Sequence, residues 1–157
     1  MSKSFAMAGL RIGWIASHDR SLLARVAAFK DYTTICAAAP SEILAIIGLR
    51  AREAVLRRSH SIVGANLPRL DRFFADRADT VSWVRPRGGP IGYARLLDGR
   101  SVDEFAAELL RAEGVLVLPG SVFGHDGSHI RLGFGRRDLP EALTRLESFL
   151  DRPTDLP

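Results

Sequence analysis

From Ser41 to about Arg77, apolar residues recur at helical spacing for many turns. Ile43, Ile46 and Ile47 open the stripe, and Leu67, Leu70, Phe73 and Phe74 close it. Such length exceeds an ordinary globular helix, so an interruption is expected. Ser41 reads as the N-terminal cap, because its hydroxyl can accept a free N–H of the first turn. Pro68 has no N–H and its ring crowds the preceding turn, which predicts a kink or a break near Asn66.

Shorter elements flank this segment. Residues 10–16 (LRIGWIA) are apolar and rich in β-formers, which predicts a strand buried on both faces. Ser17 to Asp19 then start a helix that runs to about Lys30, with Leu22, Val26 and Phe29 on one face. Residues 31–40 are β-branched at the middle and end in proline, and read as a loop. Further on, 80–86 and 90–97 read as two strands joined through a glycine-rich turn. Residues 101–114 form a well-marked helix, with Ser101 at the cap, Glu104 three residues on and Gly114 as the stop. Two more strands, in 115–120 and 129–135, flank a glycine-containing loop, and an amphipathic helix from Asp138 to Arg152 follows. The mixture predicts an α/β fold, with an α+β small domain at its C-terminal end.

Composition narrows the function. A chain of 157 residues with 46% hydrophobic and 25% charged residues is that of a globular domain with a core, not of a disordered or collagen-like chain. The net charge is +4, but the twenty arginines are dispersed among eighteen acids, so no basic block marks a nucleic-acid partner. Cys36 is the one cysteine, which excludes an internal disulfide and suits a reducing compartment. Arg11 interrupts the apolar run after Lys3, and nothing approaches the roughly 20 apolar residues of a membrane span. A cytoplasmic protein without a membrane partner is expected.

Two stretches carry chemistry. Lys3 is one of only two lysines and sits among Ser, Phe, Ala and Met, small enough neighbours in the main to let a planar cofactor approach. A lysine amine serves as nucleophile or proton shuttle when it is partly desolvated. Arg11, eight residues on, offers a fixed cation suited to phosphate. Composition alone would make Lys3 a solvated terminal residue. In the second stretch, Arg131 follows the Pro-Gly-x-x-Phe-Gly loop at 119–124. Its planar guanidinium can hold a carboxylate through two parallel hydrogen bonds, or else pair with a surface acid. His125, Asp126 and His129 are metal ligands by type, but without a further partner they read as a polar turn, and no metal is expected.

The order Lys3-Ser-Phe-Ala-Met-Ala-Gly9-Leu-Arg11-Ile-Gly13 closely resembles the cofactor-lysine signature of the class I/II aminotransferases, the fold-type I enzymes dependent on pyridoxal 5'-phosphate (PLP). Residues 114–124 and 129–135 resemble that family's small-domain strand, its loop and the strand carrying the substrate-carboxylate arginine. Residues 87–96 resemble, less specifically, its strand approaching the active site. The resemblance implies Lys3 as the Schiff-base lysine that also moves a proton, Ser2 and Arg11 as ligands of the cofactor phosphate, and Arg131 as the carboxylate clamp.

The likeness runs from Ser2 to Leu150 and is to the C-terminal portion of the family. It implies 1–31 as a remnant of the large, cofactor-binding domain, 32–77 as an interdomain helical segment and 78–157 as the small domain. The phosphate loop, the ring stacked on the cofactor and the aspartate facing its pyridine nitrogen would lie outside this chain. The implied activity is amino transfer between an amino acid and a 2-oxo acid, by a portion inactive alone, as a homodimer or with a complementing large-domain chain. The alternatives are another PLP reaction such as decarboxylation, or a non-catalytic assembly module that uses the exposed sheet edge at 10–16.

Overall fold

The structure, a computed structural model, describes residues 1–125 and 127–152. It contains helices α1 (Arg20–Thr33), α2 (Ala39–Arg50), α3 (Arg52–Asp76), α4 (Val102–Glu113) and α5 (Leu139–Leu150). The strands are β1 (Val81–Trp83), β2 (Ile91–Leu96), β3 (Leu118–Pro119) and β4 (His129–Gly133), and single 3-10 turns occupy Ala8–Leu10 and Gly120–Phe123. The chain divides into two compact units, Met1–Ser59 and His60–Pro157, with the division inside α3.

In the N-terminal unit, residues 10–16 form no strand, and Trp14 and Ile15 are exposed. A strand needs a neighbour for its backbone groups, and the one sheet of the described residues holds only β1 to β4. The sheet edge expected there is therefore absent. Asp19 caps α1 by accepting the Leu22 N–H at 3.0 Å. The helix extends past Lys30 to Thr33, and its expected apolar face is left uncovered, with no buried residue and Phe29 69% exposed. The loop expected over 31–40 is confined to residues 34–38. Helix α2 starts at Ala39 with Pro40 in its first turn and Ala38, not Ser41, at the cap, because proline's missing N–H costs nothing there. Ala45 and Gly48 of α2 are buried, and a Cβ on Gly48 would lie 2.6 Å from Cε of Met7. That small-residue site is where the leading coil seats its methionine.

The long helical segment is interrupted at Ala51 and not at Asn66. Hydrogen bonds run through the interruption, from Ala51 N–H to Ile47 O (2.9 Å) and from Val55 N–H to Ala51 O (3.2 Å). Helix α3 passes through Pro68 unbroken. Ile62, Asn66, Leu70, Phe73 and Phe74 are buried on both sides of the proline, so the packing of this face outweighs the local cost of the missing N–H and of the crowded carbonyl one turn back.

In the C-terminal unit the four strands run in the order β1-β2-β4-β3, every neighbouring pair antiparallel. The expected α+β arrangement is thus present. Strand alternation sends Val81, Ala94, Leu96, Ile130 and Leu132 into the core, where they meet Leu70, Phe73, Phe105, Leu109, Leu146 and Phe149 of the helices. Phe74 stacks on Trp83 with ring centroids 4.6 Å apart. Both edges, β1 and β3, are three residues or fewer, and β3 carries Pro119, so neither offers a long pairing template. Helix α4 begins and ends as expected, with the Glu104 N–H donating to Ser101 Oγ at 3.4 Å and Gly114 at φ 66°.

One buried polar residue ties α3 to the end of the sheet. The Asn66 side-chain amide donates to Phe134 O at 2.9 Å and to Arg136 O at 2.7 Å. Removing it strands two carbonyls at a site 3% exposed. Asn66→Ala should lower unfolding stability by about 2 kcal/mol, read as a drop in urea midpoint at constant slope.

Candidate active site

Lys3 lies in the turn formed by residues 2–5 and is exposed, while Ser2 is half-buried. Neither side chain has a hydrogen-bond or ion-pair partner among the described residues. Arg11 ends the 3-10 turn in the left-handed region (φ 49°, ψ 39°), and its Nη1 donates to Ala8 O at 3.0 Å. A non-glycine residue there costs roughly 1–2 kcal/mol, and the bond to Ala8 offsets part of it. The rest of its guanidinium is uncommitted. Ser2, Lys3 and Arg11 thus sit on one short coil of the N-terminal unit, with two cations and a hydroxyl facing no acid partner among the described residues. The burial expected of a reactive amine is not provided around Lys3 by its own unit.

Arg131 belongs to the C-terminal unit. On β4, Ile130 and Leu132 are buried, so His129, Arg131 and Gly133 point to the opposite, open face. Arg131 is flanked by Tyr93 of β2 and Leu118 of β3. Its guanidinium carbon lies 5.4 Å from the centroid of the Phe123 ring, and it forms no ion pair among the described residues. The alternative of a surface acid as its partner thus has no counterpart among those residues.

The loop carrying Phe123 is built from its glycines. Gly120 is buried, and a Cβ there would stand 2.7 Å from the Tyr93 hydroxyl and 3.0 Å from His129 O. Gly124, at φ 69°, turns the chain back after the ring. Ser121 Oγ donates to Asp103 Oδ1 of α4 at 2.6 Å, anchoring the loop to a core helix.

Beside Arg131, the two histidines of the 125–129 turn join Tyr93, a residue the sequence does not mark, in an aromatic cluster. Tyr93 and His129 stack with centroids 5.2 Å apart and planes 8° apart, and His125 meets His129 edge-on at 4.7 Å. In sequence Tyr93 is a strand residue and the histidines belong to a turn; the β2–β4 registry brings Tyr93 and His129 diagonally together. Burial, then the charges of His125 and Arg95, push the His129 imidazole below its ordinary 6.5. Its Nδ1 is buried without a partner, while His125 Nδ1 accepts the Gly127 N–H at 3.0 Å. Asp126 lies outside the described residues, among which no three acids, histidines or cysteines converge as a metal site. A cleft of about 450 Å³ beside α5, bordered by Leu116, Arg136 and Arg145, contains none of the candidate residues.

The family profile described as aminotransferase class I and II matches residues 1–146. A putative aminotransferase, YugH, of Bacillus subtilis is 34% identical over 162 residues, which cover 98% of this chain and 40% of that protein. Capreomycidine synthase of Streptomyces vinaceus is 27% identical, over 96% of this chain and 39% of that one. Among solved structures, a PLP-dependent aminotransferase from Streptococcus suis superposes with a TM-score of 0.85 at 29% identity, over 98% of this chain and 41% of that one. The chain spans about two-fifths of the length of these relatives.

Two measurements check the local geometry. Gly120→Ala should destabilise the unit by about 1–3 kcal/mol through overpacking, and Tyr93→Phe in the same background should recover part of the loss by removing the nearer of the two atoms. Because folding weakens proton binding at His129, its contribution is complete above pH 6.5 and is lost as pH falls from 6.5 toward the lower folded value. His129→Phe keeps the stack on Tyr93 and should flatten that part of the stability-pH curve.

Proposed function

The chain belongs to the class I and II aminotransferases, and on that footing we propose that it carries the lysine-bearing and carboxylate-binding portion of a PLP-dependent enzyme that moves an amino group between an amino acid and a 2-oxo acid. The observation that carries the proposal is the co-occurrence, inside one family match over 1–146, of the Lys3–Arg11 coil and of Arg131 on an open sheet face with no acid partner among the described residues. In this reading 1–31 belongs with the cofactor-binding domain, 32–77 is the interdomain helical segment and 78–157 is the small domain. The location is cytoplasmic, and no helix of the described residues is long and apolar enough to cross a membrane.

The donor set suits PLP: an amine for its aldehyde, a guanidinium and a hydroxyl for its phosphate, and a second guanidinium for a substrate carboxylate. When bound, PLP supplies an electron sink for the bond-breaking at the substrate α-carbon. Lys3 would hold the cofactor through its Nζ, and the same atom would take and return the proton at the substrate α-carbon. Arg11 neutralises phosphate charge with the N–H groups not given to Ala8, and Ser2 donates its hydroxyl. Arg131 grips the α-carboxylate through two parallel N–H bonds, which fixes the α-carbon's orientation for the proton transfer.

Two further readings rest on specific observations. Capreomycidine synthase is named for a synthase reaction and not for amino transfer, which favours keeping another PLP reaction such as decarboxylation in view. The exposed apolar residues of the N-terminal unit, among them Phe29, Tyr32, Ile43 and Ile47, favour an assembly surface covered by a second copy or by a complementing large-domain chain.

Adding PLP to the purified chain should produce a visible absorbance band that borohydride fixes as a mass increase on the peptide containing Lys3, and Lys3→Ala should lose both. Labelling confined to other amines would overturn the assignment of Lys3.

A further inference from the structure

Arg131 raises a question of orientation that its assigned role leaves open. A guanidinium on an open strand face has several rotamers within reach, and a clamp must select one before its ligand arrives. Among the described residues no carboxylate performs that selection. The Phe123 ring, 5.4 Å from the guanidinium carbon, is the group in place to do so.

The chemistry of the ring suits the task. A carboxylate in that position would occupy the two-pronged N–H fork and cancel the charge that attracts a substrate. A phenyl ring attracts the cation through its face, neither cancels the charge nor matches the fork, and so leaves the donors available. The loop that carries the ring, itself 50% exposed, is anchored. Ser121, two residues earlier, is bonded to Asp103 of α4, and Gly124 closes the turn directly after it.

We infer that Phe123 is a positioning residue for Arg131, an aromatic shelf that sets the guanidinium's orientation for carboxylate binding while leaving its N–H donors unspent. This rests on the carboxylate-clamp reading of Arg131. The Ser121–Asp103 bond supports the shelf by fixing the loop on a core helix.

The experiment follows the Arg131 side-chain Nε–Hε and Cδ protons by NMR in the full chain, assigned by their loss in Arg131→Lys. In the free protein these signals should carry a ring-current shift that Phe123→Leu removes and Phe123→Tyr retains. Titration with pyruvate, a small 2-oxo acid, should move the Nε–Hε signal, and Phe123→Leu should weaken that binding about 2- to 5-fold, the equivalent of an exposed cation–π contact, with recovery in Phe123→Tyr. The backbone amides of β4 show whether each variant remains folded. Arg131 signals unchanged by Phe123→Leu in a folded chain would overturn the shelf. Ring-current shifts as expected with no pyruvate response in the wild type would instead overturn the clamp reading, and so separate the two failures.

Discussion

Much of this molecule follows from the position of β4 in its sheet. It is hydrogen-bonded on both sides, to β2 and to β3, so its side chains have no freedom to exchange faces. A slip of one residue would place Ile130 and Leu132 in solvent and Arg131 in the core. Burial of those two aliphatics and of Phe134 beyond them is therefore also what presents the guanidinium outward. Asn66 adds a polar constraint at the strand's exit, because its two hydrogen bonds fix where the chain leaves the sheet.

What could be read from the sequence divides along the range of the interactions involved. The caps of α4 rest on Ser101 and Gly114 within a few residues, and β1 and β2 are neighbours in sequence joined through the glycine-containing stretch 84–90, so local chemistry suffices. Residues 10–16 have the composition of a buried strand, but a strand is made by its neighbours, and none runs beside them among the described residues. Pro68 misleads in the opposite sense. Its penalty is local, and the buried face of α3 on both sides of it outweighs that penalty.

The candidate site was legible to a similar degree. Lys3, Ser2, Arg11 and Arg131 stand at motif positions, and a motif is a statement about neighbours in sequence. The Tyr93–His129 stack is a statement about registry across strands and the Phe123–Arg131 approach one about how a turn folds back over the sheet, and no spacing along the chain announces either contact. Only Gly120 left a trace, as a glycine whose missing side chain makes room for a tyrosine hydroxyl more than twenty-five positions earlier.

The two tryptophans fall one in each unit. Trp14 lies on the exposed coil of the first, whereas Trp83 is stacked on Phe74 beside the core of the second. Their indoles consequently differ in polarity of surroundings, the former largely exposed to water and the latter half-buried against an aromatic ring. The protein carries its own pair of optical probes, and the loosening of either half can be followed by its fluorescence without attaching a dye.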